Sequence, residues 1–234
     1  MLQKKQKRAR SAADKSLKRD LILATAAQLF DAQPDSLPTA AEIAKQSGIA
    51  KGTVYLYFKS KEEIFLALLE QHYENWFRDI RTAITAEKPN ADDIINAICH
   101  YIESQPQFFQ LASLSSSIIE QNVNSGVLLA FKERLVNVVN STSHDLAEKL
   151  ELEESDTCAQ LLMRSYAMLL GLWQISHNPE QLSDLLDQPS LSIIQPEFGL
   201  EARDALAQLW QGYVGQKDVK TTGRFWKIGN LFTS

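Results

Sequence analysis

The sequence contains little cysteine, and its two thiols, Cys99 and Cys158, are far apart in the chain. It lacks the close-spaced cysteines of disulfide frameworks and zinc sites, so we expect a reduced, cytoplasmic compartment. Long apolar runs are also missing, because the longest, "LLMRSYAMLLGLW", is interrupted by Arg164 and Ser165. A membrane helix needs roughly 18 to 20 apolar residues, so we expect no membrane partner.

Signatures of catalysis and of cofactor binding are missing as well. The sequence has neither a glycine-rich phosphate loop nor a serine-elbow nucleophile. Its four histidines show no metal-ligand spacing with one another or with acidic residues. We therefore expect no enzyme activity, no cofactor, no catalytic residues and no metal site.

Charge is distributed unevenly along the chain. Of the 24 Lys and Arg residues, 12 lie in the first quarter, through Lys61, against only 5 of the 29 Asp and Glu residues. The net charge of −5 therefore combines a basic front with an acidic remainder. This asymmetry favours a polyanionic partner at one end of the molecule, although a charged tail can also serve solubility alone.

Apolar residues recur with helical periodicity nearly throughout, which predicts an all-α protein. Residues 1–15 lack this periodicity and are predicted to form a basic flexible arm. A front domain at 16–61 holds three helices, a connecting helix spans about 60–86, a larger helical domain covers 87–216, and 217–234 form a tail. The predicted helices lie at about 17–32, 39–47, 50–58, 60–86, 91–104, 105–120, 126–151, 155–177 and 200–215.

The second and third helices have the lengths of a helix-turn-helix, with the turn at Gly48-Ile49. Thr39 is followed three residues later by Glu42, which is the pattern of a capping box. Glycine at position 48 can take the left-handed conformation that ends a helix. In such a unit the second helix enters the major groove of DNA, and its first residues reach the base edges.

The third helix divides into an inner and an outer face at about 100° per residue. Val54 and Phe58 point into a small core, and Tyr57 lies on the border. The outer face carries Lys51, Gly52, Thr53, Tyr55 and Leu56. Lysine and hydroxyl groups can bind base acceptors or phosphates, and glycine permits close approach. Leu56 fits a thymine methyl group or an incidental exposed leucine equally well.

The segment "AAEIAKQSGIAKGTVYLYFKSKEEIF" resembles the DNA-binding domain of TetR/AcrR-family transcriptional regulators. The family pattern has an "IA..AG(V/I)SKGT(L/V)Y.YF.SKE.L" core, and the resemblance runs from about Leu21 through Leu69. It implies a three-helix DNA-binding domain, a connecting fourth helix, and a helical body for ligand binding and dimerisation. The implied function is a dimeric repressor that a small-molecule effector releases from a palindromic operator on double-stranded DNA. The alternative is an effector-independent architectural or protein-regulated factor on the same fold.

The resemblance also implies roles for single residues. Thr39 would cap the second helix and offer its hydroxyl to a phosphate. Bases and nearby backbone would be contacted by Lys51, Gly52, Thr53 and Tyr55, and further phosphates by Tyr57 and Lys61. The chain departs from the family pattern at "QPDSLPTA", where a glycine-aromatic turn is usual, and at Ala40 and Ala41, which makes base reading from the second helix doubtful. Ala50 replaces a serine cap, at a cost of about 1 kcal/mol.

Basic side chains before the first helix form a second candidate DNA contact. Such segments can follow a minor groove or the adjacent backbone, and each phosphate contact steepens the salt dependence of binding. The residues concerned are Lys4, Lys5, Lys7, Arg8 and Arg10. A solvated tail is the alternative.

Aromatic residues of the body are candidates for an effector pocket between the fourth helix and the helices up to 177. They are His72, Trp76, Tyr101, Phe108, Tyr166 and Trp173. Ordinary core packing is the alternative for each. Because these segments show no evident charged pair, we expect an apolar or aromatic effector.

The last two long helices are apolar over more than one face, which indicates a subunit interface. The resemblance implies a four-helix seam between two copies of the chain. The candidate contact residues are Leu162, Leu169, Leu206, Trp210 and Tyr213. A two-fold homodimer of this kind would read a roughly palindromic operator.

Overall fold

The computed structural model describes residues 2–33, 36–152, 155–177 and 188–214, with side chains described from Asp14 onward and that of Val214 left out. Within these ranges the chain is helical and contains no strand, so the all-α prediction is confirmed. The α-helices are α1 (Leu2–Ala32), α2 (Ala40–Ser47), α3 (Lys51–Tyr57), α4 (Lys61–Ala83), α5 (Ala91–Ser104), α6 (Gln107–Ser113), α7 (Ser125–Lys149), α8 (Ser155–Ser176) and α9 (Phe198–Val214). The predicted tail, 217–234, lies outside the described residues.

Helix α1 begins at Leu2, about fifteen residues before its predicted start. The added segment is rich in Lys, Arg, Gln and Ala, which have good helix propensity. It lacks apolar periodicity, so periodicity gives no signal for a helix there. The DNA contact predicted for the side chains of Lys4 to Arg10 lies outside the described residues and stays a prediction.

The ends of α2 follow from local chemistry, as predicted. The Thr39 hydroxyl oxygen accepts from the Glu42 backbone N–H at 3.2 Å, and the Thr39 backbone N–H donates to Glu42 Oε2 at 2.7 Å. At the other end, Gly48 takes a left-handed φ of 67°, which a side chain with a Cβ would strain. These two caps fix the length of α2 and the direction in which the chain enters α3.

The front domain closes around a small apolar core between α1, α2 and α3. Its inner side chains are at most 4% exposed, namely Ile22, Phe30, Ile43, Val54 and Phe58. Helix α3 contributes a single buried residue of its own, Val54, to this core. The other side chains of α3 therefore lie at the surface or at its margin.

Helix α4 belongs to both parts of the molecule. It begins after Ser60, whose hydroxyl accepts from the Glu63 backbone N–H at 3.3 Å. Its first half packs on α1, where the Phe65 and Phe30 rings lie 5.7 Å apart. The helix also packs against α5, α6 and α7 in the body. A displacement of α4 in the body would therefore reach the front domain directly.

The helix predicted at 105–120 is interrupted. Helix α6 ends at Ser113 and is followed by a π-helical turn, Ser115–Ile119, and a 3₁₀ turn, Glu120–Asn122. Serine hydroxyls here compete with regular helix geometry, since Ser113 donates to the Gln110 carbonyl at 2.7 Å and Ser115 donates to Glu120 at 2.8 Å. The segment that connects α8 to α9 contains a 3₁₀ turn, Pro189–Ile194. Residues 178–187 of this segment lie outside the described residues.

Helices α7 and α8 pack together, and α9 packs against α5 and α8. Among the described residues, no helix is long and apolar enough to span a bilayer.

Candidate DNA-binding and effector sites

The outer face of α3 is exposed where the sequence predicts contact with DNA. Lys51 and Gly52 are exposed, and the side chain of Tyr55 is 40% exposed. Thr53 and Tyr57 are half-buried at the margins, and Tyr57 packs against the front core. Val54 anchors α3 to the front core, and the exposed side chains of the helix lie on its opposite face.

Gly52 has no structural requirement within its own chain. A Cβ placed on this residue would meet nothing within 4 Å, and its φ is not in the left-handed region. A glycine in a helix destabilises it by about 0.5–1 kcal/mol relative to alanine. The absence of a side chain at position 52 is therefore costly for the free protein and leaves the surface open to close approach from outside.

Two of the predicted phosphate contacts have partners inside the protein. The Thr39 hydroxyl donates to Glu42 Oε2 at 2.7 Å while it caps α2. The backbone and then the side-chain hydrogen bond from Thr39 lower the pKa of the Glu42 carboxyl. The Lys61 amine donates to the Leu37 carbonyl at 3.4 Å. Both groups lie at the surface of the front domain. To bind a phosphate, each would have to give up the hydrogen bond that it makes within the protein.

Five of the six predicted pocket residues meet in one aromatic cluster, centred on Phe108. The ring of Phe108 lies 5.4 Å from His72, 5.6 Å from Trp76 and 5.7 Å from Tyr101. Tyr166 lies 6.3 Å from Trp76. Trp173 joins the cluster only through Phe109, whose ring lies 6.2 Å away. The candidates are therefore neighbours, and they pack against one another rather than around an opening.

Polar atoms inside the aromatic cluster pair mainly with one another. His72 Nδ1 and the Tyr101 hydroxyl lie 2.9 Å apart, and the Tyr73 hydroxyl donates to the Tyr166 hydroxyl at 2.6 Å. Burial lowers the pKa of His72 from 6.5 to about 4 and raises that of Tyr101 to about 12, so both are neutral near pH 7. The Trp76 indole N–H is fully buried and has no hydrogen-bond partner among the residues that the structure describes. An unpaired donor in an apolar region lowers the stability of the folded protein.

Four of the five predicted interface residues point into the chain's own core. Leu162, Leu169, Leu206 and Trp210 are 0% exposed, which leaves no side-chain surface for a second subunit to cover. Trp210 donates from its indole nitrogen to Ser165 at 2.9 Å, which fixes this face of α8 and α9 inward. Of the predicted set only Tyr213 is partly exposed, and it accepts a hydrogen bond from Arg164.

The outward face of α8 carries different residues from those predicted. Met163, Ala167 and Gly171 recur at four-residue spacing, and Met163 is 47% exposed. Leu200 on α9 is 69% exposed, and Ala207, which is half-buried against the chain's own core, follows two turns later. Small and apolar side chains at the surface of paired helices permit close approach of another helix.

A groove of about 480 Å³ between α4 and α7 was not foreseen from the sequence. Its lining includes Arg78, Arg81 and Arg134. The first two arginines stand three residues apart on the polar side of α4, which is a weak local signal. Arg134 is more than fifty residues away, so only the fold brings the three together. None of the six predicted pocket residues lines this groove.

Among the described residues, no group of three or more His, Cys, Asp or Glu side chains is placed to hold a metal ion. Burial raises the pKa of Cys158 to about 11 and also raises that of Cys99. Both thiols are buried and remain protonated at neutral pH.

Comparison with known protein families assigns nearly all of the described chain. A model described as "Bacterial regulatory proteins, tetR family" matches residues 22–68. A second, described as "Tetracyclin repressor-like, C-terminal domain", matches residues 70–217. The second match alone covers more than half of the chain.

Individual relatives are more distant. The HTH-type transcriptional activator FasR of Mycolicibacterium smegmatis is 29% identical over 92 residues, which is 38% of this chain and 42% of FasR. The HTH-type transcriptional repressor NemR of Escherichia coli is 29% identical over 100 residues, or 43% of this chain and 49% of NemR. Each alignment thus spans less than half of the relative.

Among solved structures, the fatty acid degradation regulator FadR from Bacillus halodurans is similar, with a TM-score of 0.54 and 17% identity. That match covers 84% of this chain and 96% of the other. At this identity the likeness concerns the fold.

Proposed function

The chain belongs to the TetR family of DNA-binding bacterial transcriptional regulators, and from this premise we propose that it is a homodimeric repressor released from a palindromic operator by a small-molecule effector. The observation that carries the DNA-binding part is the outer face of α3. Lys51, Gly52 and Tyr55 are exposed there, on a helix whose inward residue, Val54, is 0% exposed.

Helix α3 would lie in the major groove with its amino-terminal end towards the bases. Lys51 would reach a base acceptor or a phosphate, and Gly52 would let the helix backbone approach the DNA closely. Tyr55 and Tyr57 would donate their hydroxyls to phosphates, and Thr53 would bond nearby backbone. Thr39 and Lys61 would contact phosphates on either side, each by exchanging a bond that it now makes within the protein.

The homodimer would form through the outward face of α8 and α9. Met163, Ala167 and Gly171 on α8, with Leu200 and Ala207 on α9, would replace the buried residues predicted from the sequence. Two recognition helices would then contact half-sites about 34 Å apart. Sedimentation equilibrium tests this, because a mass of one 26.3 kDa chain at micromolar concentration would contradict it.

An effector response is supported by the aromatic cluster and its contact with α4. The cluster contains a buried indole N–H without a partner, at Trp76, and Trp76 lies on the helix that also packs against α1. A ligand that prefers one arrangement of this cluster would shift α4 and change the separation of the two recognition helices.

One observation favours the effector-independent alternative. The six predicted pocket residues pack ring against ring, and they line neither the groove between α4 and α7 nor a smaller void of about 10 Å³ beside it. An effector must therefore open the body in order to bind. A regulator whose body never opens would respond to a protein partner or to none.

The DNA-binding proposal is tested with an operator selected from a random DNA pool, using fluorescence anisotropy. Lys51→Ala and Tyr55→Ala should each weaken binding by about 1–3 kcal/mol, which corresponds to roughly 5- to 150-fold.

Gly52→Ala should have opposite effects on folding stability and on operator binding. It should stabilise the protein by about 0.5–1 kcal/mol, because alanine favours the helix, and yet weaken operator binding.

Lys149→Ala is the matched control, since it removes one exposed lysine from α7 in the body. It should leave operator affinity unchanged at moderate salt. Wild-type affinity in both α3 variants would refute the assignment of α3, and an equal loss in Lys149→Ala would attribute the effect to net charge.

A further inference from the structure

The groove between α4 and α7 is lined by one row of side chains from each helix. Within each row the residues recur at i, i+4 and i+7, which places them on one face. The rows are Glu74, Arg78 and Arg81 on α4, and Arg134, Val138 and Ser141 on α7. Asn137 of α7 also lines the groove, beside its row. The groove opens to solvent and has a volume of about 480 Å³, which is enough for a small polar group and its hydration.

The arginines of this groove differ in how they are neutralised. Arg134 is bonded to both carboxylate oxygens of Glu70, and this hydrogen bonding raises the pKa of its guanidinium. Arg81 donates only to the Ser141 hydroxyl, at 3.4 Å. Neither Arg78 nor Arg81 forms an ion pair with any residue that the structure describes. Two guanidinium groups are thus available, and their planar donor arrangement suits phosphate and carboxylate.

A narrow void of about 10 Å³ adjoins the groove on its inner side. It shares Glu74, Arg134 and Val138 with the groove. Its other lining residues are Glu70 and three apolar or aromatic side chains, Tyr73, Phe131 and Leu135. The Arg134–Glu70 pair stands at this void, and Tyr73 on the far wall belongs to the aromatic cluster. A volume of this size holds about one water molecule, so no hydrocarbon chain fits it as it stands.

We propose that this groove binds the anionic head of an amphiphile, whose apolar tail enters the body past the Arg134–Glu70 pair by displacing Tyr73. The inference rests on the proposed function, because it names the chemical class and the entry route of the effector. The arginines of the groove suit the anionic head, and the aromatic side chains beyond the void suit the apolar tail. Helices α4 and α7 bring both parts together in one place.

Displacement of Tyr73 would act on the helix that leads to the DNA-binding domain. Tyr73 would lose its 2.6 Å hydrogen bond to Tyr166 and its edge contact with Phe108, whose ring centroid is 5.3 Å away. The head group would at the same time hold Arg78 and Arg81 of the same helix. Both ends of the amphiphile thus act on α4, which packs against α1 at the front.

Isothermal titration calorimetry tests the site with molecules of matched tail length, all below their micelle concentrations. Decyl phosphate and decanoate carry the two anionic heads, decyl maltoside is the neutral control, and inorganic phosphate is the head alone. We expect an anionic decyl compound to bind. Removing two methylenes from its tail should weaken binding by roughly fifteenfold, at about fourfold for each buried methylene.

The variant Arg78→Gln/Arg81→Gln should weaken binding of the anionic compound at least tenfold. Ser141→Glu, which adds a negative charge to the groove without removing an arginine, should do the same. Arg203→Gln is the matched control, since it removes an exposed arginine of α9 outside the groove and should change nothing. Circular dichroism spectra and melting temperatures verify that every variant is folded.

Binding of either anion supports the proposal, and the ratio of their affinities identifies the preferred head. It is overturned if neither anion binds, if decyl maltoside binds equally well, or if the arginine variant retains wild-type affinity. The same proteins are then titrated onto operator DNA. Operator binding without amphiphile binding refutes this inference alone, whereas amphiphile binding that leaves operator affinity unchanged refutes the effector-released repressor.

Discussion

The outer face of α3 and the aromatic cluster of the body both use tyrosine hydroxyls, but in opposite environments. Tyr55 on α3 is 40% exposed, and its hydroxyl has no partner among the described residues. Tyr73 in the cluster is 7% exposed, and its hydroxyl is bonded to Tyr166. The first tyrosine presents an unused donor to the outside, and the second has already paired its donor within the protein.

This difference separates two ways of binding. The proposed contact of α3 with DNA needs only small side-chain adjustments, because Lys51 and Tyr55 are already exposed and have no side-chain partner among the described residues. The cluster must break ring contacts and a hydrogen bond before any ligand fits, so part of the ligand's interaction energy goes into opening it. The proposed DNA site is therefore preformed in this chain, whereas the proposed effector site would exist fully only with its ligand bound.

The largest expected effect is a difference in folding stability between a substitution in the aromatic cluster and one on the outer face of α3. Phe108 is 0% exposed and touches rings from α4, α5 and α6. Phe108→Ala should lower the free energy of unfolding by about 3–5 kcal/mol, because it leaves a cavity in close-packed surroundings. Tyr55→Ala should change it by less than about 0.5 kcal/mol, as expected for a surface substitution. Urea unfolding monitored by circular dichroism measures both.

Leu56→Ala is a further control, since Leu56 is 75% exposed on the same helix as Tyr55. It should be nearly neutral for stability. If Phe108→Ala were as mild as these two variants, the cluster would be a loosely filled site rather than a closed core, and the contrast between the regions would fail.

A pH titration gives the next largest effect, because His72 lies in the cluster and is held neutral by burial. Its pKa is lowered from 6.5 to about 4. Between these values the unfolded chain binds a proton at this histidine and the folded chain does not. Stability should therefore be complete above about pH 6.5 and fall as the pH drops towards 4, by up to about 3 kcal/mol.

The His72→Gln variant isolates this contribution, because carboxylates that titrate in the same range are common to both proteins. The difference in unfolding free energy between wild type and variant should shrink as the pH falls from 6.5 to 4. His100→Gln makes the same substitution at an exposed position of α5 and is the matched control for the change of side chain. A parallel pH dependence for wild type and His72→Gln would show that His72 is not kept neutral by the fold.

The front domain was predictable from the sequence because its determinants are local. The capping box at Thr39, the left-handed Gly48 and the inward Val54 each depend on neighbours within a few positions, and all three predictions are confirmed. The helix boundaries at α2 and α3 agree with prediction to within about one residue. The first fifteen residues carry no apolar periodicity, and the predicted start of α1 is therefore about fifteen residues too late.

The body was predicted less well because its helices are apolar on more than one side. Periodicity showed that α8 and α9 had more apolar surface than one core face requires, but it did not show which side faces inward. The sequence therefore predicts Leu162 and Trp210 at the subunit interface, whereas both are 0% exposed inside the chain's own core, where Trp210 donates to Ser165. The groove at Arg78, Arg81 and Arg134 depends on contacts between distant helices, which no window of sequence contains.

The smallest expected effect tests whether the α3 surface, which we propose contacts DNA, depends on the local caps of α2. Thr39→Ala removes the side-chain cap of α2 and should cost about 1 kcal/mol of stability. Glu42→Gln keeps a hydrogen-bonding side chain but removes its charge, so its cost should be smaller. Because both residues serve the same cap, their effects in the double variant should be less than additive. Additive costs would show that Thr39 and Glu42 act separately, and the orientation of α2 and α3 would then depend on the front core rather than on the capping box.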